Sequence, residues 1–90
     1  MKATPPLEEL LEFPTSFTFR VVATERPDLE EDVVGRVGRI LDRPNLQVSR
    51  QASSKGSFTS IRVTAVVTTA DEIRSVYASL QGVEGLHMLL

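Results

Sequence analysis

This sequence contains no cysteine, no tryptophan and only one histidine, His87. Without cysteine there can be no disulfide, no thiolate metal site and no cysteine nucleophile. One imidazole cannot form a zinc site unless several carboxylates surround it. His87 is also the single candidate general base, and no pattern in the sequence brings a serine beside it. We therefore predict no metal site, no cofactor, no catalytic residues and no enzymatic activity.

The sequence also lacks a long apolar run and an excess of basic residues. No apolar stretch approaches the roughly 18 residues of a membrane-spanning helix, and no basic segment followed by an apolar one opens the chain. The formal net charge is −2 over 90 residues, which offers no general attraction to nucleic acid or to an anionic membrane. These absences predict a soluble cytoplasmic protein that binds neither nucleic acid nor a membrane.

What is present is the composition and the periodicity of one small globular domain. We predict that residues 1–12 form an N-terminal lead with a short helical turn, and that residues 13–90 form a single domain. Pro14 directs the chain into an extended conformation, and a first strand follows at about 15–24. One side of that strand carries Phe17, Phe19, Val21 and Ala23.

A first helix is predicted to begin near Asp28, because Asp28 and Glu31 have the spacing of a capping box. Apolar residues then recur at helical spacing until Pro44 closes the segment. Gly35 and Gly38 lie inside this helix, where each costs about 1 kcal/mol relative to alanine. Their presence predicts either close backbone packing on one side or a weakened helix.

Basic side chains line the exposed side of the predicted first helix. Arg36, Arg39 and Arg43 come after a group of acidic residues that includes Asp32. Acidic residues at the start of a helix and basic residues at its end complement the helix dipole. Asp32 precedes Arg36 by four residues, a spacing that favours an ion pair on a helix. We interpret this side as a solvated face.

The second half of the chain repeats the alternation of strands and a helix. A short strand around residues 46–52 and a third strand over 61–67 each show a period of two. A second capping box, from Thr69 to Glu72, begins another helix. Residues 83–90 supply the last strand, in which we predict that three apolar side chains face the core: Leu86, Met88 and Leu90.

The resulting order is strand, helix, strand, strand, helix, strand. This order predicts an α+β fold, a ferredoxin-like βαββαβ sandwich with both helices on one face of a four-stranded antiparallel sheet. Because such crossovers are right-handed, the first and third strands lie in the centre and the strand order is 4-1-3-2.

A first candidate site lies on the sheet face that the helices leave uncovered. Alternation places Arg20 and Arg62 there on the central strands, with His87 of the last strand beside them and Leu89 turned outward at an edge. These residues form a candidate surface for an anion or a partner chain. The outward positions that we count include no aromatic side chain, which disfavours RNA binding. The alternatives are a solvated face covered by the leucines of residues 7–11, or one covered by another chain.

A second candidate site is the turn between the second and third strands, formed by Ser53, Ser54, Lys55 and Gly56. Its hydroxyls, backbone amides and ammonium group could cradle an anion such as phosphate. It lacks the spaced glycines and the following helix of a phosphate-binding loop. Since serine, lysine and glycine are also residues that a tight hairpin requires, a plain turn is the simpler interpretation.

Four segments carry a resemblance to a known family: Leu11-Glu12-Phe13-Pro14-Thr15, Ser53-Ser54-Lys55-Gly56, Val76-Tyr77-Ala78-Ser79-Leu80 and His87-Met88-Leu89-Leu90. Together they resemble the YbeD-like family of small bacterial proteins, over nearly the whole chain from Leu7 onward. The resemblance implies a ferredoxin-like fold similar to ACT regulatory domains. It also implies a loose association with lipoate metabolism, in which a regulatory role has been proposed for the family. It implies no catalytic or ligand-binding residues.

One further segment, Glu25-Arg26-Pro27-Asp28-Leu29, is similar to the Asp-Arg-Pro-Gly-Leu turn that follows the first strand of many ACT domains. The glycine of that turn lets the backbone approach an amino-acid ligand. Asp28 stands at the equivalent position here, and it adds a side chain and a negative charge where a ligand carboxylate would lie. This difference disfavours an amino-acid site of the ACT type.

Two functional hypotheses follow. The first is a non-enzymatic regulatory or adaptor module that binds another protein or forms a homodimer. The alternative is an ACT-type sensor, in which a small-molecule ligand is held between subunits paired along their sheet edges.

Overall fold

A computed structural model shows the fold and describes residues 12–42, 46–53 and 56–90. Its six elements occur in the predicted order: β1 (Thr15–Thr24), α1 (Leu29–Leu41), β2 (Gln47–Ala52), β3 (Phe58–Val67), α2 (Ala70–Leu80) and β4 (Leu86–Leu89). The helical turn predicted in the lead and the helix stop predicted at Pro44 lie outside the described residues.

The four strands form one antiparallel sheet in the order β2-β3-β1-β4, which confirms the predicted 4-1-3-2 arrangement. The two central strands pair over their full length, from Thr15 opposite Val67 to Thr24 opposite Phe58. β2 lies outside β3, and β4 lies outside β1. Both edges of the sheet are therefore formed by the shorter strands.

The core lies between the two helices and one face of the sheet. Phe17 and Tyr77 pack against its margin, with their ring centroids 6.3 Å apart. Burial raises the pKa of Tyr77, whose hydroxyl donates a hydrogen bond of 3.0 Å to the carbonyl oxygen of Leu90. The centre of the core is formed by fully buried side chains of both central strands and both helices, among them Phe19, Val33, Val37, Ile61, Val63 and Leu80.

Both helices begin where predicted, but only one uses the predicted cap. The Thr69 hydroxyl accepts from the Glu72 amide at 3.2 Å, and the Glu72 carboxylate accepts from the Thr68 amide at 2.7 Å. The Asp28 side chain, in contrast, caps no amide of the described helix, because its carboxylate accepts from the Arg26 guanidinium at 2.7 Å. The capping box predicted at Asp28 is wrong, because Asp28 has φ −103° and ψ 13° instead of the extended backbone of a capping residue, and its carboxylate is held by Arg26.

The two glycines of α1 are not explained by close packing. A Cβ atom at Gly35 would lie 3.5 Å from the flexible Arg39 guanidinium, and one at Gly38 would lie 3.7 Å from a methyl group of Leu46. Both distances are ordinary van der Waals contacts. The structure therefore does not support close packing, and a helix weakened by glycine stays as the prediction.

We expect the substitution Gly38→Ala to raise the free energy of unfolding by about 1 kcal/mol, because alanine is the better helix former and the added methyl group has space. Urea denaturation followed by circular dichroism measures the change. Gly85→Ala is the matched control and should destabilise the protein, since Gly85 has a φ of +78° and its added Cβ would lie 3.1 Å from Cβ of Thr24. A loss of stability in Gly38→Ala would contradict this explanation.

Candidate functional site

The two helices leave one face of the sheet uncovered, and we call it the open face. Side chains alternate along a strand, so the open face carries the residues that lie between the buried ones. The cross-strand pairs define its members as Ser16, Thr18, Arg20, Val22 and Thr24 of β1, Gln47, Ser49 and Gln51 of β2, Phe58, Ser60, Arg62, Thr64 and Val66 of β3, and Met88 of β4.

Two arginines face each other at the centre of the open face. Arg20 lies directly opposite Arg62 on the neighbouring strand, and its Nε donates a hydrogen bond of 3.2 Å to Ser60 Oγ. Among the described residues the open face contains no aspartate or glutamate, although the chain has a net charge of −2. Because like charges opposite each other destabilise a sheet, this pair is a local positive charge that an anionic group would stabilise.

Polar groups surround the Arg62 side chain. Two shallow depressions, of about 230 and 320 Å³, share Arg62 and Ser49 in their linings. Thr18 and Thr64 also line the larger depression, and their hydroxyls form a hydrogen bond of 2.7 Å across the two central strands. These hydroxyls and the guanidinium groups are donors of the kind that bind carboxylate or phosphate oxygens.

Apolar side chains border the arginines on the open face. Val66, Met88 and Leu90 are 50%, 45% and 52% exposed. Leu90 belongs to this face because its backbone exchanges two hydrogen bonds with that of Arg20, at 3.1 and 2.9 Å. The open face therefore combines a positive centre with an exposed apolar border.

An aromatic pair lies at one end of the open face. The Phe58 ring stacks on the His87 imidazole with centroids 4.8 Å apart, so His87 lies on the same side of the sheet as the two arginines. The prediction that no outward position is aromatic is wrong. Phe58 was missed because the third strand was predicted to begin at Ile61, whereas β3 begins at Phe58. The same alternation, extended back toward the hairpin, would have found it.

The predicted outward orientation of Leu89 is also wrong, and so is the predicted core-facing orientation of Met88 and Leu90. Leu89 lies opposite the buried Val21 and packs against the core, while Met88 lies opposite Val22 on the open face. The cause is a β-bulge, since His87 has no partner on β1 and the register shifts there. An extra residue in one strand reverses the face of every side chain that follows it.

The Ser53–Gly56 segment has the contacts of a hairpin turn where the structure describes it; Ser54 and Lys55 lie outside the described residues. The Ser53 carbonyl accepts from the Gly56 amide at 2.9 Å, and the Ser53 amide donates to the Phe58 carbonyl at 2.8 Å. Gly56 has a φ of +71°, which favours glycine. The Ser53 hydroxyl accepts from the Phe58 amide at 3.2 Å. These contacts support the turn interpretation rather than a phosphate cradle.

Comparison with known proteins identifies the family. The family model described as "Protein of unknown function (DUF493)" matches residues 8–90. The chain belongs to this family. Among relatives, a "UPF0250 protein" of Shewanella loihica is 42% identical over 82 residues, covering 91% of this chain and 92% of the relative. Another, from Haemophilus ducreyi, is 37% identical over 84 residues, covering 93% and 86%. These matches confirm the YbeD-like resemblance.

Solved structures similar to this DUF493 chain confirm the fold. The solution structure of protein HP0495 from H. pylori has a TM-score of 0.70 at 16% identity, covering 99% of this chain and 98% of that one. The ACT domain from GTP pyrophosphokinase of Chlorobium tepidum has a TM-score of 0.53 at 13% identity, covering 84% and 97%. At these identities the likeness concerns the fold alone, which is ACT-like and ferredoxin-like.

The ACT-like turn of this DUF493 chain is occupied by its own ion pairs. The Arg26 guanidinium donates to Asp28 and to Asp32, each at 2.7 Å. Arg36 donates to the same Asp32 carboxylate at 2.9 Å. Burial tends to raise the pKa of Asp32, but the hydrogen bonds from Arg26 and Arg36 lower it below the ordinary value for aspartate. These two cations are therefore already neutralised by carboxylates of the chain.

Arg36 also joins the two helices. Its Nη1 and Nη2 atoms donate to the carbonyl oxygens of Ser79 and Gly82, at 2.7 and 3.0 Å, at the end of α2. Ser79 lies in the last turn of α2 and Gly82 just beyond it; the Ser79 carbonyl also accepts from the Gly82 amide at 3.1 Å, and a cation at this end of the helix complements its dipole. The interpretation of Arg36 as part of a solvated face is wrong, because its guanidinium caps α2.

A cleft of about 590 Å³ lies beside this network, between the start of α1 and the residues that follow α2, and Arg39 and Glu84 are among the residues that line it. On the other side of the turn, the Glu25 carboxylate accepts a 3.0 Å hydrogen bond from the buried Thr59 hydroxyl and pairs with Arg50. The charged residues of the turn therefore connect it to α1, β2 and β3.

Within the described ranges, no group of three or more histidine, cysteine, aspartate or glutamate side chains is arranged to hold a metal ion. None of the described helices is both long enough and apolar enough to cross a bilayer.

Proposed function

We propose that this chain is a non-enzymatic, cytoplasmic regulatory or adaptor module that binds another protein chain through the open face of its sheet. The observation that carries the proposal is the pair Arg20 and Arg62, placed opposite each other without a carboxylate among the described residues of that face. Two arginines opposite each other lower the stability of the free protein, and the binding of an acidic group offsets that loss.

The apolar border supports a protein partner over a simple anion. Five large apolar side chains of the described residues are exposed, and four of them lie on the open face: Phe58, Val66, Met88 and Leu90. Exposed apolar groups beside charged ones are typical of protein-binding surfaces. The partner that fits is a segment with both acidic and apolar side chains.

Nucleic acid suits this surface less well. The aromatic side chain of the open face, Phe58, already stacks on His87, and the chain has a net charge of −2. Sheets that bind RNA present aromatic rings that are free to stack on bases, and surfaces that bind nucleic acid are strongly basic overall.

Affinity capture from native lysate tests the proposal with two charge-reversal variants. We expect Arg62→Glu to lose the proteins that the unmodified chain retains, because it replaces a cation of the open face by an anion. Arg39→Glu is the matched control, since it makes the same charge change at an exposed site on α1, and it should retain them. Equal capture by Arg62→Glu and the unmodified chain would contradict the proposal.

The family resemblance adds a pathway to this proposal. A link to lipoate metabolism rests on that resemblance alone, and it predicts that the captured proteins include enzymes that carry or attach lipoyl groups. Their absence from the capture would remove the link without affecting the proposed surface.

The second candidate function is an ACT-type sensor of a small molecule, favoured by the likeness to an ACT domain and by the cleft beside the ACT-like turn. A ligand present at a hundredfold excess over its dissociation constant should stabilise the fold by about 2.7 kcal/mol. An adaptor should show no such effect with metabolites. The neutralised Arg26 and Arg36 side chains leave little free positive charge for a ligand carboxylate, so we favour the adaptor.

A further inference from the structure

The two arginines of the open face are not engaged by carboxylates of the chain. Arg62 makes no hydrogen bond or ion pair with any described residue, and Arg20 bonds the neutral Ser60 hydroxyl. Four other arginines each pair with a carboxylate: Arg26, Arg36, Arg50 and Arg74. The positive charge of the open face is therefore available to a ligand from outside the chain.

Arg20 and Arg62 are also held close together. They lie opposite each other as a non-hydrogen-bonded pair, because the amide and the carbonyl of Arg20 bond Leu90 on the other side of β1. The Cα atoms of such a pair are about 4.5 Å apart, the shorter of the two antiparallel spacings. One bound group can therefore contact both guanidinium groups, and a group with a single negative charge would compensate only one of them.

Neutral hydrogen-bond donors surround this pair on the same face. Each lies two positions along the strand from an arginine, or on β2 directly or diagonally opposite Arg62: Thr18, Ser60, Thr64, Gln47, Ser49 and Gln51. The Ser60 hydroxyl accepts from Arg20 Nε, so its own proton stays available for a second partner. The Thr18 and Thr64 hydroxyls share one hydrogen bond, which leaves one of their two protons available as well.

We infer that the open face binds a phosphoryl group carried on a serine or threonine side chain of its protein partner. The inference rests on the proposed function, since it specifies the acidic group of that partner. A phosphoryl group carries about −1.5 to −2 charges at pH 7 and has three strong acceptor oxygens. It compensates both arginines at once, and its oxygens also accept from the hydroxyls beside them. A carboxylate has one charge and two oxygens, so it would leave one guanidinium uncompensated.

The shape of the surface favours a phosphoryl group on a protein over a free phosphorylated metabolite. The depressions on the two sides of Arg62 are shallow, at about 230 and 320 Å³, whereas a small-molecule site usually buries about 70–90% of its ligand. Exposed Met88 and Leu90 border the arginines, and they can pack against apolar side chains that flank a phosphorylated residue. A nucleic acid carries many phosphates, which the net charge of −2 disfavours.

Titration of a fluorescent peptide, followed by anisotropy, tests the inference. The probes are three forms of the peptide Gly-Leu-Ser-Leu-Gly, in which the serine is phosphorylated, unmodified or replaced by glutamate. We expect the phosphorylated form to bind about tenfold more tightly than the glutamate form, the effect of one additional hydrogen bond between charged groups. The unmodified form should bind most weakly. Equal affinity of the phosphorylated and glutamate forms, or no binding of the phosphorylated form, would overturn the inference.

Arginine variants locate the site of the phosphorylated peptide. Arg62→Gln should weaken its binding by about tenfold or more, to the level of the glutamate form, because a single cation remains. Arg39→Gln is the matched control: it makes the same charge change at an exposed position of α1 and should leave the affinity unchanged. Circular dichroism checks that both variants keep the fold. An equal loss of affinity in the two variants would contradict the assignment to the open face.

Two competitors distinguish the possible sources of the phosphoryl group. Inorganic phosphate should displace the peptide only weakly, since it makes no contact with the apolar border. Displacement at the concentration of the peptide itself would identify a free anion as the ligand and reject a protein. A single-stranded oligouridylate should also compete weakly, and tighter binding of this RNA than of the phosphorylated peptide would reject a protein as well.

Phosphatase treatment of the lysate separates this inference from the proposed function. After treatment, the unmodified chain should no longer retain the proteins that Arg62→Glu fails to capture from untreated lysate. If the unmodified chain still retains them, the inference fails while the open face remains the binding surface. If Arg62→Glu retains them from untreated lysate, the proposed function fails, and this inference fails with it.

Discussion

Replacement of Phe19 by alanine should lower the free energy of unfolding by about 3–5 kcal/mol, the largest loss that we expect from a single substitution in this protein. Phe19 is fully buried, and its ring lies 4.9 Å from that of Phe17 and 5.4 Å from that of Tyr77, measured between centroids. Removing it leaves a cavity between β1 and α2. The loss is a large fraction of the roughly 5–15 kcal/mol that stabilises a typical domain.

Phe58→Ala is the control for this substitution, because it makes the same chemical change on the open face, where Phe58 is 37% exposed. We expect it to cost much less than Phe19→Ala. Urea denaturation of both variants and of the unmodified chain measures the difference. If Phe19→Ala were as stable as the unmodified chain, the assignment of the core face of β1 would be wrong.

The second large effect is expected at Arg36. The Arg36 side chain is 25% exposed, and its guanidinium donates hydrogen bonds to Asp32 and to the carbonyl oxygens of Ser79 and Gly82. Arg36→Met keeps much of the apolar stem but removes these bonds, and we expect a loss of about 1.5–3 kcal/mol, the range for hydrogen bonds to charged groups. Arg39→Met is the matched control on the same helix and should have little effect. An equal loss of unfolding free energy in the two variants would show that the hydrogen bonds from Arg36 to the Ser79 and Gly82 carbonyls do not stabilise the protein.

Lowering the pH should reduce the contribution of Arg36 to the free energy of unfolding. The hydrogen bonds from Arg26 and Arg36 hold the pKa of Asp32 below its ordinary value, against the opposing effect of burial. A carboxyl group whose pKa is lowered in the folded state stabilises the protein above the unfolded pKa, and that stability is lost as the pH falls through the folded pKa. The stability difference between the unmodified chain and Arg36→Met should therefore narrow toward low pH.

Local sequence patterns were sufficient to predict the long strands and the helices of this fold. The period of two in β1 and β3 identified the buried side chains, including Phe19 and Ile61, because one face of each central strand must lie against the helices. The capping pattern at Thr69 located the start of α2, since that signal depends only on residues within one turn. The cap at Asp28 failed where a cation two residues away competed for the same carboxylate.

The candidate site was predictable only in part. Alternation placed Arg20 and Arg62 on one face, and the register puts them directly opposite each other. Alternation failed for Leu89, because a single unpaired residue in β4 moves every later side chain of that strand to the opposite face of the sheet. A bulge depends on how β4 pairs with β1, and the local sequence of the last strand does not predict it.

By itself, therefore, the sequence determined the order of the elements, the fold class and the buried faces of the central strands, because burial imposes a period on neighbouring residues. Only the tertiary structure decided where the bulge lies and what Arg36 binds. Each of these depends on groups far apart in the chain, such as Arg36 and Ser79, which are 43 positions apart. Contacts of this kind leave no periodic trace in the sequence, since they are made when the elements pack together.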